Sequence, residues 1–481
     1  MLWVVPMAVY AVLIQRWSLS GDEYFTFVDS SKPVLELLSY ERKPLYYLLC
    51  HVLLKLDLGL SVETVVRIPA AIAGSLIAPT IYWMLSTKRS IRFAFMAAVI
   101  ALLNPWLVQF SQFARFYTLA FLFTTISSLA GYRWLQASSA KAKKNWLIVF
   151  FVTGVLAGLS HLPAILVIPG GCLGAFLAMY REQPKLTVGF LRRWGFAIGL
   201  LSLVVLIGGM FFLKDVLYFW YTTTPGGFGN YNLRQILISL LLFGGVSTWV
   251  LATLPLIKMP TSWESTDLYF FALIAVCCLP ILMLVGVGGG VASIYTLFCL
   301  PGVFVLAAKH WREMDDRLPS WGYRLALAIG LLTINLPYVV SAMTDGDHYD
   351  YRAAAKKIDE MGLERPLVLA SASELLDYYV EQDCDFFELK TFQNGIFRDR
   401  VVKVVEMANE QQRPMLVVSR EDRHELSAED QEWFYGQFSL IHAIHTPRFD
   451  HRRHQLSIYR YRPNSTAERS IDDHSHRKSV S

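Results

Sequence analysis

The sequence predicts an α-helical polytopic membrane protein that carries a small extracytoplasmic α/β domain towards its C-terminal end. Three observations predict it. Of 481 residues, 54% are hydrophobic and only 17% are charged, a balance foreign to a soluble domain of this size. Apolar runs approaching the ~20 residues needed to cross a bilayer recur up to about Met343. Beyond that point the composition turns polar, and short apolar strands alternate with amphipathic helices. Aromatic residues at 14% agree with this reading, because Trp and Tyr collect at bilayer interfaces.

Roughly eleven spans are expected. The first six lie near Leu2–Ile14, Val66–Leu85, Phe93–Leu107, Phe116–Trp134, Trp146–Leu159 and Pro163–Met179. The remainder lie near Gly195–Leu213, Ile236–Leu256, Tyr269–Val287, Ala292–Ala308 and Leu325–Met343. The first run is short and has no basic stretch ahead of it, so it reads poorly as a signal peptide, and a start further upstream stays open. With the N-terminus inside, the cytoplasmic loops hold about fifteen Lys and Arg, against about seven in the longer opposite loops. That is the expected inside bias. An odd number of spans then places everything after Met343 outside the cytoplasm, in a multi-pass protein of the inner membrane.

The chain accordingly divides into a membrane domain over 1–343, an extracytoplasmic α/β domain over 344–462 and a disordered tail over 463–481. The longest outer connection of the membrane domain covers 18–65. Within it, Phe25–Leu38 and Leu45–Leu56 have apolar faces separated by charge, which suits helices lying on the membrane surface. In the C-terminal domain, RAAAKKIDEM, ELLDYYVEQ, RDRVVKVVEMANEQQ and a stretch around Glu429–Phe438 read as helices. PLVLAS, PMLVVS, SLIHAIHT and HQLSIYRY read as strands, and the alternation predicts a mainly parallel sheet. The last stretch, PNSTAERSIDDHSHRKSVS, has almost no apolar residues and is expected to be disordered.

Composition also excludes. The formal charge of +5 is spread over short clusters between apolar runs, so no nucleic-acid partner is expected. Only Cys384 of the six cysteines falls in the C-terminal domain, which therefore has no internal disulfide even in an oxidising compartment. Walker loops, paired CxxC, HExxH and GxSxG motifs are lacking. GVGGG at Gly286–Gly290 has no preceding strand and reads as an outer turn, not a dinucleotide fingerprint.

The most pointed feature is SGDEYFTF, which sets Asp22 and Glu23 just beyond the first hydrophobic segment. Acid at a bilayer boundary is costly unless it faces water or an ion, so the pair is either a solvated loop start or a functional site. It heads an ordered series: GDEYFTF, then ERKPLYYLLCHVLLKL, then VVRIPAAIAGSLIAPTIYWM, then LLNPWLVQFSQFARFYTLAFLF. This series resembles the GT-C membrane glycosyltransferases, in particular the dolichyl-phosphate-mannose protein mannosyltransferase-like group. That group includes the lipid A aminoarabinose transferases and the Rgt-type lipopolysaccharide transferases. The resemblance covers most of the first 170 residues and extends more loosely to the end, where DYRAAAKKID and PLVLAS are similar to the group's outer domain.

The resemblance implies transfer of a sugar from a polyprenyl-phosphate donor to a glycan, lipid or protein acceptor on the non-cytoplasmic side. It gives Asp22 the place of the group's catalytic base or acceptor-orienting acid, with Glu23 as its companion. The chemistry agrees, since an acceptor hydroxyl attacking an anomeric carbon must lose a proton as the bond forms. The departing phosphate needs positive charge or a divalent metal. Arg115, in SQFARFY, matches a motif arginine whose planar fork suits two phosphate oxygens; an interfacial anchor beside Tyr117 is the alternative. His161, in GLSHLPA, matches a position where the group often has His, and is either a metal ligand or a satisfied interfacial residue. Arg42 and Lys43 stand where relatives usually carry His-Pro, and suit phosphate contact or plain loop solvation.

Two positions depart from the pattern. Phe113 replaces a common acid, which weakens the expectation of a metal. Ile294 replaces an arginine, so that SIYTLFCLP retains Tyr295 and Pro301 for the donor site without it. The loop WYTTTPGGFGNYNLRQ offers Tyr221 and Tyr231 as stacking faces for an acceptor sugar, or is simply a turn-rich connection. Two rival classes stay open. A transporter or flippase of lipid-linked saccharides would place polar groups near the middle of several spans, whereas here they concentrate at outer helix ends. A catalytically inactive scaffold is the other rival, given Phe113 and Ile294.

Overall fold

A computed structural model describes residues 3–40, 44–86, 91–185, 237, 245–253, 263–286, 293–315, 336, 337, 339, 340, 343, 349–389, 396–420, 427–447 and 453–462. The chain divides into two compact units. One holds residues 1–16 and 22–344, the other 17–21 and 345–481.

Helices are the regular secondary structure of the first unit among its described residues. Helix α1 (Val4–Leu13) is followed by three short helices, α2 (Gly21–Ser31), α3 (Val34–Tyr40) and α4 (Pro44–Lys55). Then come α5 (Val62–Leu85), α6 (Ile91–Leu102), α7 (Pro105–Phe110), α8 (Tyr117–Gln136), α9 (Ala140–Ser160) and α10 (Val167–Glu182). The series ends with α11 (Val246–Thr253), α12 (Ser265–Gly286) and α13 (Leu300–Asp315). Side chains set several starts: the Ser61 hydroxyl accepts from Thr64 N–H, and Ser139 does the same for Ala142 N–H.

Four helical stretches among the described residues are long and apolar enough to cross a membrane: Val62–Leu85, Ala140–Ser160, Leu162–Glu182 and Ile294–Glu313. The chain is a multi-pass membrane protein. The expected span at 195–213 lies outside the described residues, as do most of 236–256 and 325–343. The span expected at 93–107 is divided in the structure. Asn104 accepts a hydrogen bond from Leu107 N–H at 3.1 Å and Pro105 opens a new helix; a proline at that point cannot continue the helix before it. Proline also splits the surface stretch 25–38, since α2 ends and α3 begins on either side of Pro33.

Small residues bring the helices together, as is usual within membranes. A Cβ on Gly174 of α10 would stand 2.5 Å from the Tyr269 carbonyl oxygen and 3.0 Å from its Cα. Tyr269, on α12, donates from its hydroxyl to the Ser128 carbonyl of α8 at 2.8 Å. Gly174→Ala meets backbone rather than a movable side chain, so a loss of ~1–3 kcal/mol is expected. It would be read as a lowered melting temperature in detergent, and an unchanged melting temperature would show that α10 and α12 can separate freely.

The second unit carries a five-stranded sheet in the order β2-β1-β3-β5-β4. Its strands are β1 (Leu367–Ala370), β2 (Asp385–Glu388), β3 (Met415–Arg420), β4 (Phe438–Pro447) and β5 (Arg453–Tyr461). Helices α14 (Tyr351–Glu360), α15 (Ser373–Tyr379), α16 (Ile396–Gln411) and α17 (Ala428–Gln437) alternate with them. Leu367, Leu369, Val401, Val417, Phe434 and Tyr459 share its core. The sheet is mixed rather than mainly parallel: β2, β1 and β3 run parallel, whereas β5 is antiparallel to both β3 and β4. The link from β4 to β5 is too short for a crossover and permits only a hairpin. Residues 17–21 form a strap belonging to this unit. Leu19 N–H donates to the Tyr379 hydroxyl at 2.8 Å, and the Ser18 hydroxyl to the Tyr349 carbonyl at 3.3 Å.

Candidate active site

Asp22 and Glu23 lie in the first turn of α2, where the helix N-terminus favours negative charge. Adjacent in sequence, they occupy opposite environments. Glu23 is fully buried, while the Asp22 side chain is 50% exposed.

Glu23 takes a two-pronged grip from Arg67 of α5, with Nε on Oε1 at 2.7 Å and Nη2 on Oε2 at 2.8 Å. Its Oε1 also accepts from Ala114 N–H at 2.7 Å, and Arg67 Nη1 donates to the Ile14 carbonyl at 2.9 Å. The end of α1, the head of α2, helix α5 and the turn between α7 and α8 therefore meet on one buried ion pair. Planar fork on planar carboxylate is the geometry that offsets the desolvation of both charges. Nearby bonds hold the same elements. Tyr46 of α4 donates to the Val66 carbonyl at 2.8 Å, Thr118 of α8 to the Ala70 carbonyl at 3.2 Å, and His51 Nδ1 pairs with the Ser30 carbonyl at 2.8 Å.

This clamp fixes its two sequence neighbours. Asp22 precedes Glu23 and Arg115 follows Ala114, and the two come together with Arg115 Nη2 3.5 Å from Asp22 Oδ2. Arg115 Nη1 donates to the Asp22 carbonyl at 3.2 Å and lies 3.5 Å from both the Thr26 hydroxyl and the Tyr47 hydroxyl. Its guanidinium also sits over the Phe116 ring at 5.1 Å. Burial opposes the Arg115 charge, but the Asp22 carboxylate and the phenols of Tyr47, Tyr117 and Tyr295 more than offset it and hold its pKa above the ordinary arginine value. Arg115 thus stays cationic, and its contact with the Asp22 carboxylate is long.

His161 is buried in an aromatic cage. Its ring stacks on Phe116 at 4.7 Å, meets Tyr117 edge-on at 5.6 Å, and approaches Tyr295 at 5.0 Å and Phe298 at 5.5 Å. Tyr295 lies in the 3-10 turn Ser293–Cys299 before α13. Phe113 faces Phe110 edge-on at 6.2 Å, and Ile294 is buried. Among the described residues, no three His, Cys, Asp or Glu side chains gather to hold a metal ion. The aromatic rings around His161 do not fit one, and the cation that the described site sets beside Asp22 is the Arg115 guanidinium. The structure thus brings Asp22, Glu23, Arg115, His161 and Tyr295 into one neighbourhood and adds Tyr47, Arg67 and Tyr117, which sequence reasoning had not singled out. Arg42, Lys43, Tyr221 and Tyr231 lie outside the described residues.

No protein-family model and no curated protein matches the sequence. Solved structures do. The chain is similar to ArnT from Cupriavidus metallidurans in the apo state, with 13% identity, 96% of this chain and 98% of that chain covered, and a TM-score of 0.56. The same protein bound to undecaprenyl phosphate gives 13% identity, the same coverage and a TM-score of 0.53. The arabinofuranosyltransferase AftD from Mycobacteria is also similar, at 14% identity and a TM-score of 0.44 over 96% of this chain and 41% of that one. The chain has the fold of the GT-C membrane glycosyltransferases. Within that fold, its likeness to ArnT extends over nearly the whole of both chains.

Proposed function

We propose that this protein is a glycosyltransferase that moves a sugar from a polyprenyl-phosphate donor to an envelope acceptor on the non-cytoplasmic side of the inner membrane. One observation carries the reading: a half-exposed carboxylate, Asp22, stands beside a cationic fork, Arg115, on a buried clamp. The ArnT structure that holds undecaprenyl phosphate shares this fold, which supports a lipid-phosphate donor.

The residues divide the chemistry between them. The acceptor oxygen forms a bond to the anomeric carbon while the bond from that carbon to the donor phosphate oxygen breaks. The acceptor proton passes to Asp22, and the electron pair leaves with the phosphate, whose charge Arg115 receives. Because the leaving group is already an anion, no general acid is required. Glu23 and Arg67 act as positioning residues. Tyr47, Tyr117 and Tyr295 line the Arg115 side, where their hydroxyls suit phosphate or sugar oxygens. Arg42 and Lys43 add phosphate contacts, and Tyr221 and Tyr231 stack on the acceptor.

Arg115→Lys tests the donor assignment. It keeps the charge but removes the fork, so affinity for undecaprenyl phosphate should fall about tenfold, with little change in melting temperature. Unchanged affinity would remove Arg115 from the donor site. Orientation is tested separately: a C-terminal reporter that works only outside the cytoplasm should be active, and activity of a cytoplasm-only reporter would put the second unit on the wrong side.

A further inference from the structure

We infer that the second unit contains an anion-binding crevice at the carboxyl ends of β1 and β3, built on Arg420 and Ser371. The topology marks the place. From β1 the chain moves to β2 on one side, and the next crossover returns to β3 on the other. Parallel strands that diverge in this way open a crevice at the switch point, where open α/β sheets bind ligands. Arg420 is the last residue of β3, and Ser371 directly follows β1.

The side chains there are set for an anion. Arg420 Nε donates to the Tyr351 hydroxyl at 2.6 Å, and that hydroxyl donates to the Ser371 carbonyl at 2.6 Å. The guanidinium lies 4.9 Å from the Tyr349 ring centre and 5.4 Å from that of Tyr351, contacts that orient it without neutralising it. Arg365, Arg398 and Arg413 of the same unit each face a carboxylate. Arg420 has no carboxylate partner among the described residues, and its two terminal nitrogens suit a bidentate acceptor. The Ser371 hydroxyl is buried and has no hydrogen-bond partner among the described residues. Next to it, Ala372 is held at φ 65°, a left-handed backbone that a residue with a Cβ rarely adopts and that clusters at ligand sites. The start of α15 is already filled from within, since Glu388 accepts from Ser373 N–H and its hydroxyl at 2.9 and 2.6 Å. An incoming anion therefore meets Arg420.

The ligand is a phosphate or carboxylate group, carried on an acceptor saccharide or free in solution; the first source rests on the glycosyltransferase reading. Calorimetry on the full chain in detergent, with glucose 6-phosphate, glucuronate, inorganic phosphate and glucose as probes, tests it. The anionic probes should bind and glucose should not. Arg420→Gln should weaken anion binding at least about tenfold, and Arg420→Lys should fall between, because the fork is lost and the charge kept. Undecaprenyl phosphate affinity should be unchanged in both variants, which separates this crevice from the site of Asp22 and Arg115. Sugar anions binding more tightly than phosphate would identify a saccharide source, and equal affinities a free anion. Equal binding by wild type and Arg420→Gln, or binding of no anion, would overturn the crevice.

Discussion

Asp22→Asn is expected to lower turnover by ~100- to 10,000-fold, the usual cost of losing a general base, while leaving the protein folded and donor affinity nearly intact. The substitution keeps the shape of the side chain and most of its hydrogen bonding. Half of that side chain already faces solvent and its contact with Arg115 is long, at 3.5 Å, so its neutralisation should destabilise the protein far less than loss of the fully buried Glu23 carboxylate. Turnover at matched membrane expression is the measurement. A rate near that of the wild type would make Asp22 a solvated loop residue and leave the likeness to the GT-C enzymes as one of fold alone.

Glu23→Gln should fail in a different way. It removes the charge from the carboxylate that the Arg67 fork grips, and breaking a buried pair of this kind costs about 3–5 kcal/mol. The variant should melt at a much lower temperature and accumulate poorly in the membrane. Replacing both partners with apolar residues, Glu23→Leu with Arg67→Met, should restore much of the melting temperature, because both charges of the pair are then removed together. Turnover should remain low in the double variant, since Ala114 N–H has lost the carboxylate that ties Arg115 to Asp22. Full activity in the double variant would contradict the positioning role and leave the clamp as a matter of folding only.

These two neighbours show what the sequence discloses and what it does not. Acid directly after a hydrophobic segment points to a candidate site, and Arg115 at a helix end reads as a phosphate-binding or anchoring arginine, whose place beside Asp22 only the structure gives. The division of labour between Asp22 and Glu23 is invisible in the string, because burial of one and exposure of the other arise only when α5 and the turn before α8 close around Glu23. A signal for Arg67 was nevertheless present. An arginine at the head of an apolar helix has to find a carboxylate or water, and Glu23 is one of the acids that the motif series offers. Asn104–Pro105 likewise announces a helix break, which an apolar run of 93–107 conceals when read by hydropathy alone. In the second unit the four residues of β2, Asp385–Glu388, carry too little pattern to mark an edge strand. The hairpin of β4 and β5 was legible as two strands, while its antiparallel place beside β3 follows from connection length rather than from residue type. Arg420 and Ser371 gave no local signal. Their nearness is a product of strand order.

The central claim is that the protein cleaves a lipid-phosphate sugar and passes the glycosyl group on. The purified full chain, incubated with labelled polyprenyl-phosphate sugars and a membrane extract, should transfer label into a new glycan and release the polyprenyl phosphate, and Asp22→Asn should abolish both. Movement of intact donor across liposomes without cleavage would identify a transporter on this fold, and would contradict the account.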